Sequence, residues 1–335
     1  MRDPATARLH PRITALLRRV EIGLPELRAR VDGEEVSAES AAELRGRLAA
    51  RLYSTLHSGE PPSADGPRPR TLRDTRMERP LREAVPHRSA SSPARIAAPV
   101  RDGDGHAVVL LSDVRVRIPR TAVARPGELH PGMSVDVALP ASRALLSPGF
   151  FLADGSRGAA LGASEVARLF VHITSPGAAP TIWRSVLEAL EERALHYRAK
   201  VLSARDAFPR RDALVVYTAE ADASALDAVA AQITGMPGIG SETSPFARPL
   251  APGIARASEP ADGRPGHRGL SFGQHRSRAL AEGLITHASA PERRTREAAV
   301  AEAFTAAGID PTDPSRNLTA PTTPQTHPDT GKEPQ

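Results

Sequence analysis

The chain has 335 residues, of which 40% are hydrophobic and 3% aromatic, and its 44 Lys and Arg against 39 Asp and Glu leave a formal charge of +5. This length is enough to bury one large core or two smaller ones. Cysteine is absent, which excludes disulfides, thiolate nucleophiles and cysteine-ligated zinc or iron–sulfur sites.

Membrane and nucleic-acid functions are not favoured by the sequence pattern. The longest apolar run outside the proline-punctuated stretches is Ala107 to Leu111, far too short to span a bilayer, and the basic N-terminus lacks the apolar segment of a secretory signal. Basic and acidic residues are interspersed, and few aromatic residues lie among the arginines to stack on bases. We therefore expect a cytoplasmic protein that binds neither membrane nor nucleic acid.

The first part of the chain is predicted to be helical and then irregular. Apolar residues recur at helical spacing in a first segment, namely Ile13, Leu16, Leu17 and Val20. A second helix is indicated by the capping pair Ser40 and Glu43, and Gly59 ends it. We therefore predict an N-terminal helical region over residues 1–60, followed by a mostly irregular proline- and arginine-rich connection over residues 61–105.

A small β section is predicted over residues 106–160. Ala107 to Leu111 and Val114 to Ile118 have the pattern of a hairpin, and Met133 to Leu139 alternates as a further strand.

Residues 161–288 are predicted to form the catalytic core. Its predicted strands are Leu169 to Thr174, Tyr197 to Leu202 and Leu214 to Tyr217, and its predicted helices centre on Ile182 to Leu190 and Leu226 to Ile233 and run from Ser271 to about His287. Gly238 to Gly266 is predicted as a structured loop, and residues 289–335 as a C-terminal helix and a disordered tail. The fold class is then α+β, with a central, mostly antiparallel sheet flanked by helices, an N-terminal helical region and a small β section.

Two lysines occur among the basic residues, Lys200 and Lys332. In a chain that otherwise uses arginine, a lysine on a core strand is a candidate general base, because lysine can lose its proton and arginine cannot. The alternative interpretation is an ordinary surface lysine.

The segment before and within the last core helix is a candidate anion site. Ser271 and Gln274 have the spacing of a capping box, and Gly273 is expected to expose the first-turn amides. Arg276 and the neighbouring Arg268 would then converge on a phosphate. An unremarkable helix start with exposed basic residues is the alternative.

Strand periodicity places further candidates on one face of the sheet. Arg168 and His172 share a face of their strand, opposite the apolar residues that enter the core. Arg211 and Tyr217 follow Lys200 in the next turn and strand. Together these residues offer a base, an acid and several anion donors.

Seven segments also carry a resemblance to a known family: Leu52-Tyr-Ser-Thr-Leu-His-Ser-Gly59, Leu146-Ser-Pro-Gly-Phe-Phe151, Ala199-Lys-Val-Leu202, Phe208-Pro-Arg-Arg-Asp-Ala-Leu-Val-Val-Tyr217, Thr243-Ser-Pro-Phe246, Leu250-Ala-Pro-Gly253 and Leu270-Ser-Phe-Gly-Gln-His-Arg276. Over roughly residues 45–287 the chain resembles the HopA-type type III effector family. It resembles more closely the bacterial homologues that act as lyases in class V lanthipeptide and thioamitide biosynthesis, and it is similar in residue order to the phosphothreonine lyases. His57 stands where the effectors have an aromatic residue, and Phe170 where the phosphothreonine lyases have a lysine. Either Arg168 replaces that lysine or the phosphate is held differently.

The resemblance implies a phosphoserine or phosphothreonine lyase that converts a phosphorylated precursor peptide to dehydroalanine or dehydrobutyrine, without metal or organic cofactor. It implies Lys200 as base and His172 as acid, with His275 as the alternative acid. The positions that would bind the phosphate or orient the reacting groups are Arg168, Arg211, Tyr217, Arg268, His275 and Arg276.

The implied partners are the precursor peptide and a separate kinase-like protein, since the chain lacks a phosphate loop and kinase motifs. A cyclase is a further candidate partner. The competing hypothesis is a non-catalytic phosphopeptide-binding or scaffolding protein, in which Lys200 has no special role.

Overall fold

The computed structural model describes residues 8–60, 74–101, 103–125, 127–160 and 165–318. Over these ranges the chain combines helices with antiparallel sheets, so the predicted α+β class is confirmed. No helix in the described part of the chain has both the length and the apolar character needed to cross a bilayer.

The N-terminal region is not purely helical. Its elements are α1 (Pro11–Leu17), β1 (Val20–Gly23), β2 (Arg28–Val31), β3 (Glu34–Ser37) and α2 (Ala41–Leu52). Val20, predicted to be helical, therefore begins a strand. Asp32 and Gly33 both have positive φ and form the two-residue turn between β2 and β3, the geometry that Asp-Gly favours in hairpins.

Helix α2 is capped as predicted and then widens. The Ser40 hydroxyl accepts a hydrogen bond from the Glu43 amide at 3.2 Å. The helix continues as a π-helical turn over Tyr53–Ser58 and ends at Gly59, which adopts the left-handed conformation. Such wide turns are frequent at functional sites.

The connection predicted to be mostly irregular contains two regular elements in its described part. Helix α3 spans Thr75–Glu83 and strand β4 spans Ser89–Ile96, while residues 61–73 lie outside the described part of the chain. The Asp74 side chain caps α3 by accepting from the Arg76 and Met77 amides. Helix capping and burial against the core thus outweigh the tendency towards irregular structure that the high proline and arginine content indicates.

A small four-stranded sheet follows, with strand order β6-β5-β4-β7 and its own apolar core. Its further strands are β5 (His106–Leu111), β6 (Val114–Pro119) and β7 (Ser134–Pro140). The predicted hairpin and the predicted third strand are both confirmed.

The central sheet has seven antiparallel strands in the order β13-β14-β10-β12-β11-β9-β8. The elements of this region are β8 (Ser142–Ser147), β9 (Phe150–Asp154), β10 (Val166–Ile173), α4 (Ala179–Glu192), β11 (Tyr197–Leu202), β12 (Arg210–Ala219), α5 (Ala223–Ile233), β13 (Arg248–Ala251), β14 (Ile254–Ser258), α6 (Phe272–Ser289) and α7 (Arg296–Ala306). Strands β8 and β9 belong to this sheet and not to the small β section, and β13 and β14 form a hairpin within the predicted loop.

Helices cover both faces of the central sheet. One face packs against α3, α4 and α5, and the other packs against α2, α6 and α7. Strand β10 is buried on both faces, which explains its nearly continuous apolar run. On the second face, apolar packing gives way to half-exposed polar residues over β11 and β12, and this part of the sheet holds the candidate site.

The chain returns to the central sheet after α7. The Ser258 amide donates to the Ser315 carbonyl at 2.8 Å, and the Asn317 side-chain amide donates to the Glu259 carbonyl at 2.6 Å. The predicted disordered tail falls largely on residues 319–335, which lie outside the described part of the chain.

Candidate active site

Lys200 lies on the half-exposed part of the central sheet, between two aromatic rings. On β11 it pairs with Val215 of β12 on one side and Leu152 of β9 on the other. Its Nζ lies 4.4 Å from the ring centroid of Phe150 and 5.7 Å from that of Tyr217. Among the described residues this ammonium group forms no hydrogen bond and no ion pair, although it lies in the field of a nearby carboxylate.

Two guanidinium groups share the aromatic rings that flank Lys200. The Arg210 Cζ lies 5.9 Å from the centroid of the Phe150 ring, and the Arg168 Cζ lies 4.8 Å from the centroid of the Tyr217 ring. Lys200 is therefore part of a cationic cluster, as the sequence predicted, rather than a lysine that extends into solvent.

Arg210 is held by a buried network on one side of Lys200. Its Nε and Nη2 each donate to an Asp212 carboxylate oxygen at 2.8 Å, Nη2 also donates to the Tyr53 hydroxyl at 2.9 Å, and Nη1 lies 2.7 Å from Glu60. Burial by itself would raise the pKa of Asp212, but the Arg210 ion pair outweighs it and holds this pKa well below its usual range. Asp212 is therefore ionised, and its charge is balanced chiefly by Arg210.

His57 lies at the centre of the same network. Its Nδ1 is 3.0 Å from the Ser244 hydroxyl, and its Nε2 is 3.7 Å from Asp212 Oδ2. Burial lowers the pKa of His57 to about 4, so the ring is neutral at pH 7. The set resembles a hydrolase triad in composition, but both His57 and Ser244 are only 3% exposed, so no substrate can reach the hydroxyl.

Arg168 and Tyr217 are brought to Lys200 as predicted. The two residues are direct cross-strand partners on β10 and β12. The Arg168 Nε donates to the Glu259 carboxylate, and this fixes the guanidinium over the Tyr217 ring. Both side chains therefore lie on the same face as Lys200 and beside it.

His172 lies on the same face but in a separate environment. It follows Phe170 by two residues on β10, and its Nδ1 is buried without a hydrogen-bond partner, close against Gly240. Burial lowers its pKa, Glu242 opposes this effect, and Arg211 adds to it. Its charged neighbours are thus Glu242 and Arg211, not Lys200.

Arg211 stabilises the end of the π-helical turn. Its Nη1 donates to the Thr55 and Leu56 carbonyls at 3.0 and 2.9 Å, and its Nε and Nη2 donate to Glu242 at 3.0 and 2.6 Å. A Cβ at Gly59, which has a positive φ, would lie 2.9 Å from the Arg211 guanidinium, so the close approach of Arg211 also requires glycine there. Arg211 therefore acts here as a helix cap rather than as a free anion donor.

The predicted convergence of Arg276 and Arg268 on an anion is not observed. Arg276 is fully buried and donates to the Pro314 and Arg316 carbonyls at 3.0 and 3.2 Å and to the Asn317 side chain at 2.9 Å. Arg268 is exposed and donates its Nε to the Gly263 carbonyl. Guanidinium donors that satisfy backbone carbonyls are not available to a ligand.

The start of α6 has the predicted capping box but not the predicted open amides. The Ser271 amide donates to the Gln274 side chain at 3.0 Å, and the Gln274 amide donates back to the Ser271 hydroxyl at 3.4 Å. Gly273 is buried against the His57 ring, and a Cβ at this glycine would lie 2.1 Å from His57 Cδ2. The glycine therefore permits close packing instead of exposing the helix end.

His275 belongs to a buried cluster with Asp262 and His267, whose potential ligand atoms all lie within 4.8 Å of one another. The Arg276 Nη1 lies 2.9 Å from His275 Nδ1, and guanidinium always donates, so Nδ1 accepts and the proton of the neutral ring lies on Nε2. That Nε2 donates to Asp262 at 3.0 Å. Burial lowers the pKa of His275 to about 4. We interpret the cluster as a hydrogen-bonded network, because a metal would need the nitrogen that carries the proton.

The model of the HopA1 effector protein family matches residues 141–316, more than half of the chain. The chain belongs to the HopA1 effector protein family. The matched residues contain the whole central sheet and all the predicted site residues.

Solved structures of two effector proteins are similar to this HopA1-family chain. The effector protein from Pseudomonas syringae pv. tomato strain DC3000 has 15% sequence identity and a TM-score of 0.40, and the match covers 51% of this chain and 63% of that one. The effector protein from Pseudomonas syringae pv. syringae strain 61 has 15% identity and a TM-score of 0.39, with the same coverage. The chain thus spans less than two thirds of their length. No curated protein matches it.

Several residues of the candidate site were not predicted from the sequence. They are Tyr53, Phe150, Arg198, Arg210 and Asp212. Arg198 precedes Lys200 by two residues on a strand, so periodicity alone places both on one face. Phe150 and Arg210 lie in the segments that carry the family resemblance, but only the strand pairing shows that they reach Lys200.

Proposed function

We propose that this HopA1-family chain is a phosphoserine or phosphothreonine lyase. In this proposal it acts in the cytoplasm on a phosphorylated precursor peptide of lanthipeptide-type biosynthesis and leaves dehydroalanine or dehydrobutyrine. The observation that supports the proposal best is the position of Lys200, whose amine lies beside two rings and two guanidiniums without an ion pair to any described residue.

The chemistry requires a base and charge stabilisation. The Lys200 amine removes the proton from Cα of the phosphorylated residue, and the electron pair of that bond forms the Cα=Cβ double bond. The Cβ–O bond breaks, its electron pair leaves with the phosphate, and the phosphate takes up a proton. Arg168, fixed by Glu259, and Tyr217 lie beside Lys200 and would stabilise the charge that develops on the phosphate. The step consumes no cofactor.

Of the two candidate acids, the geometry favours His172. Both ring nitrogens of His275 are engaged, by Arg276 and by Asp262, whereas His172 lies on the face of the sheet that carries Lys200. In the proposal His172 is the proton donor once the peptide is bound, and replacing it by Asn should lower turnover more than the same change at His275. A pH profile that is identical in the wild type and the His172 variant would contradict this role.

In the proposal the phosphate is installed by another protein, because this sequence has neither a nucleotide-binding phosphate loop nor kinase motifs. A kinase-like partner and a precursor peptide are therefore part of the proposal. A cyclase would consume the dehydrated product.

The test uses the full-length protein and a synthetic phosphoserine peptide. Elimination is read as loss of phosphoric acid by mass spectrometry, and the dehydroalanine formed is trapped by a thiol. Lys200→Arg keeps the charge but cannot act as a base, so it should retain peptide binding and lose turnover at least about 100-fold. Lys332→Arg makes the same change outside the family match and provides the matched control.

Each outcome decides between hypotheses. Wild-type turnover in the Lys200→Arg variant would show that the base is another residue. Saturable binding of the phosphopeptide by wild-type protein, without any change in peptide mass, would favour the non-catalytic phosphopeptide-binding module.

A further inference from the structure

A buried carboxylate beside the candidate site holds two half-exposed guanidinium groups. The Arg198 Nε and Nη2 donate to Asp154 at 2.6 and 3.1 Å, and the Arg143 Nε lies 2.8 Å from the same carboxylate. The Asp154 side chain is 3% exposed, whereas those of Arg143 and Arg198 are 30% and 32% exposed. The Asp154 carboxylate therefore holds both arginines from the buried side and leaves the outer ends of their side chains accessible.

The outer ends of this arginine pair carry donors with no protein acceptor. Arg198 uses Nε and Nη2 on Asp154, while its Nη1 contacts no acceptor among the described residues. Neither Nη group of Arg143 has an acceptor in the described part of the chain, and its Nε is buried without the alignment of a hydrogen bond. Two positive charges against one negative charge leave the pair cationic. Such a preorganised guanidinium fork matches the geometry of a phosphoryl group.

The other arginines near Lys200 are less suited to bind a ligand. The Arg168 side chain is 8% exposed and paired with Glu259. The Arg210 side chain is 12% exposed and bound to Asp212 and Glu60. Substrate can therefore reach the arginine pair more readily than either of these groups.

The arginine pair lies at the right place for the reacting group. Arg198 precedes Lys200 by two residues on β11, about 7 Å along the same face. It is also the direct cross-strand partner of Tyr217. In a phosphorylated serine only three bonds, Cα–Cβ, Cβ–O and O–P, separate phosphorus from the carbon that loses its proton. The base and the phosphate subsite must therefore be close neighbours on one surface.

We infer that Arg143 and Arg198, oriented by Asp154, form the subsite that binds the phosphoryl group of the substrate. The inference rests on the proposed lyase function only for the identity of the ligand. It assigns the phosphate to this pair instead of to Arg211 and Arg276, whose donors serve the fold, or to Arg268, which has no described contact with the rings beside Lys200.

The first test is a titration of the full-length protein with inorganic phosphate at constant ionic strength, followed by NMR of the arginine Nε–H signals. The signals of Arg143 and Arg198 should shift in a saturable way, and that of Arg268 should not. Shifts at Arg268 with none at Arg143 and Arg198 would overturn the assignment. No variant is needed, so a folding defect cannot obscure the result.

The second test measures binding of N-acetyl-phosphoserine amide by calorimetry. Arg198→Gln and Arg143→Gln should each weaken binding at least tenfold, whereas Arg95→Gln, at an exposed arginine of the small sheet, should leave it unchanged. If Arg198→Gln proves unstable, Arg198→Lys replaces it in the test. This variant keeps the charge opposite Asp154 and should give an intermediate loss of affinity. Wild-type affinity in all the Arg143 and Arg198 variants would refute the subsite.

The subsite and the lyase proposal can fail separately. Arginine-dependent phosphate binding without elimination would leave the subsite standing and remove the lyase. Elimination that is unaffected by Arg198→Gln would leave the lyase standing and remove the subsite.

Discussion

Replacing His57 by Phe should make the fold less sensitive to acid. Burial holds the pKa of His57 at about 4 in the folded chain, against 6.5 for an unperturbed histidine. Because the folded pKa is depressed, the unfolded state binds more protons as the pH falls below 6.5, and the fold loses stability until the pH reaches about 4. At about 1.4 kcal/mol per pKa unit, the difference corresponds to about 3 kcal/mol in total.

The measurement is the free energy of unfolding in urea at pH 7 and pH 5. From the two pKa values, His57 should account for about 2 kcal/mol of the stability that the wild type loses between these pH values. His57→Phe should remove that part of the loss, because phenylalanine fills the ring environment of Tyr53, Phe170 and Phe272 without titrating. The variant also loses the Ser244 hydrogen bond, which lowers its stability at both pH values but not the difference.

The matched control is His106→Phe, at an exposed histidine on β5. It should leave the wild-type loss between pH 7 and pH 5 unchanged. If the wild type and His57→Phe lose the same free energy over this interval, the histidine is not buried in neutral form and the description of the network is wrong.

Three further predictions concern helix packing, the C-terminal segment and the cluster of Asp262, His267 and His275. Gly283→Ala should lower the free energy of unfolding by about 1–3 kcal/mol, because its Cβ would lie 2.6 Å from Val300 Cα. The control Gly46→Ala, on an open helix surface, should raise it by about 0.5–1 kcal/mol. Equal effects of the two changes in urea unfolding would refute the close contact between α6 and α7. Arg276→Lys should cost about 2–3 kcal/mol and speed amide exchange over residues 314–317, because one ammonium cannot replace the guanidinium fork; unchanged exchange would contradict the clamp. Added Zn²⁺ should leave the melting temperature unchanged, since the proton on His275 Nε2 faces Asp262; a rise that a chelator reverses would show that the cluster is a metal site.

The sequence was most informative where several signals agreed. Strands β10, β11 and β12 and helices α4, α5 and α6 were predicted, because apolar runs and helical spacing are local signals, whereas β8 and β9 of the same sheet were not predicted. The N-terminal sheet was missed since its strands are short and half-polar, although Asp32-Gly33 is a strong hairpin signal. The β13–β14 hairpin was missed because glycine and proline around it favour a loop.

For the candidate site, periodicity located residues but could not assign their partners. Arg168 and His172 were placed on one face of their strand, as the structure has them, because strand alternation is a local property. The donors of Arg211 and Arg276 instead go to carbonyls near residues 55 and 315, contacts that depend on the tertiary fold. An arginine that caps a helix and one that binds a ligand look alike in sequence, and this ambiguity led to the anion site predicted at α6.

The contacts of Arg276 also bear on the order in which the chain can fold during synthesis. Its acceptors lie 38 to 41 residues later in the chain, in the segment that also pairs with Ser258 and Glu259. Until the ribosome has released that segment, a wholly buried guanidinium would lack most of its acceptors, which is costly. Helix α6 therefore cannot settle fully on the sheet until the segment that ends at Asn317 has left the ribosome.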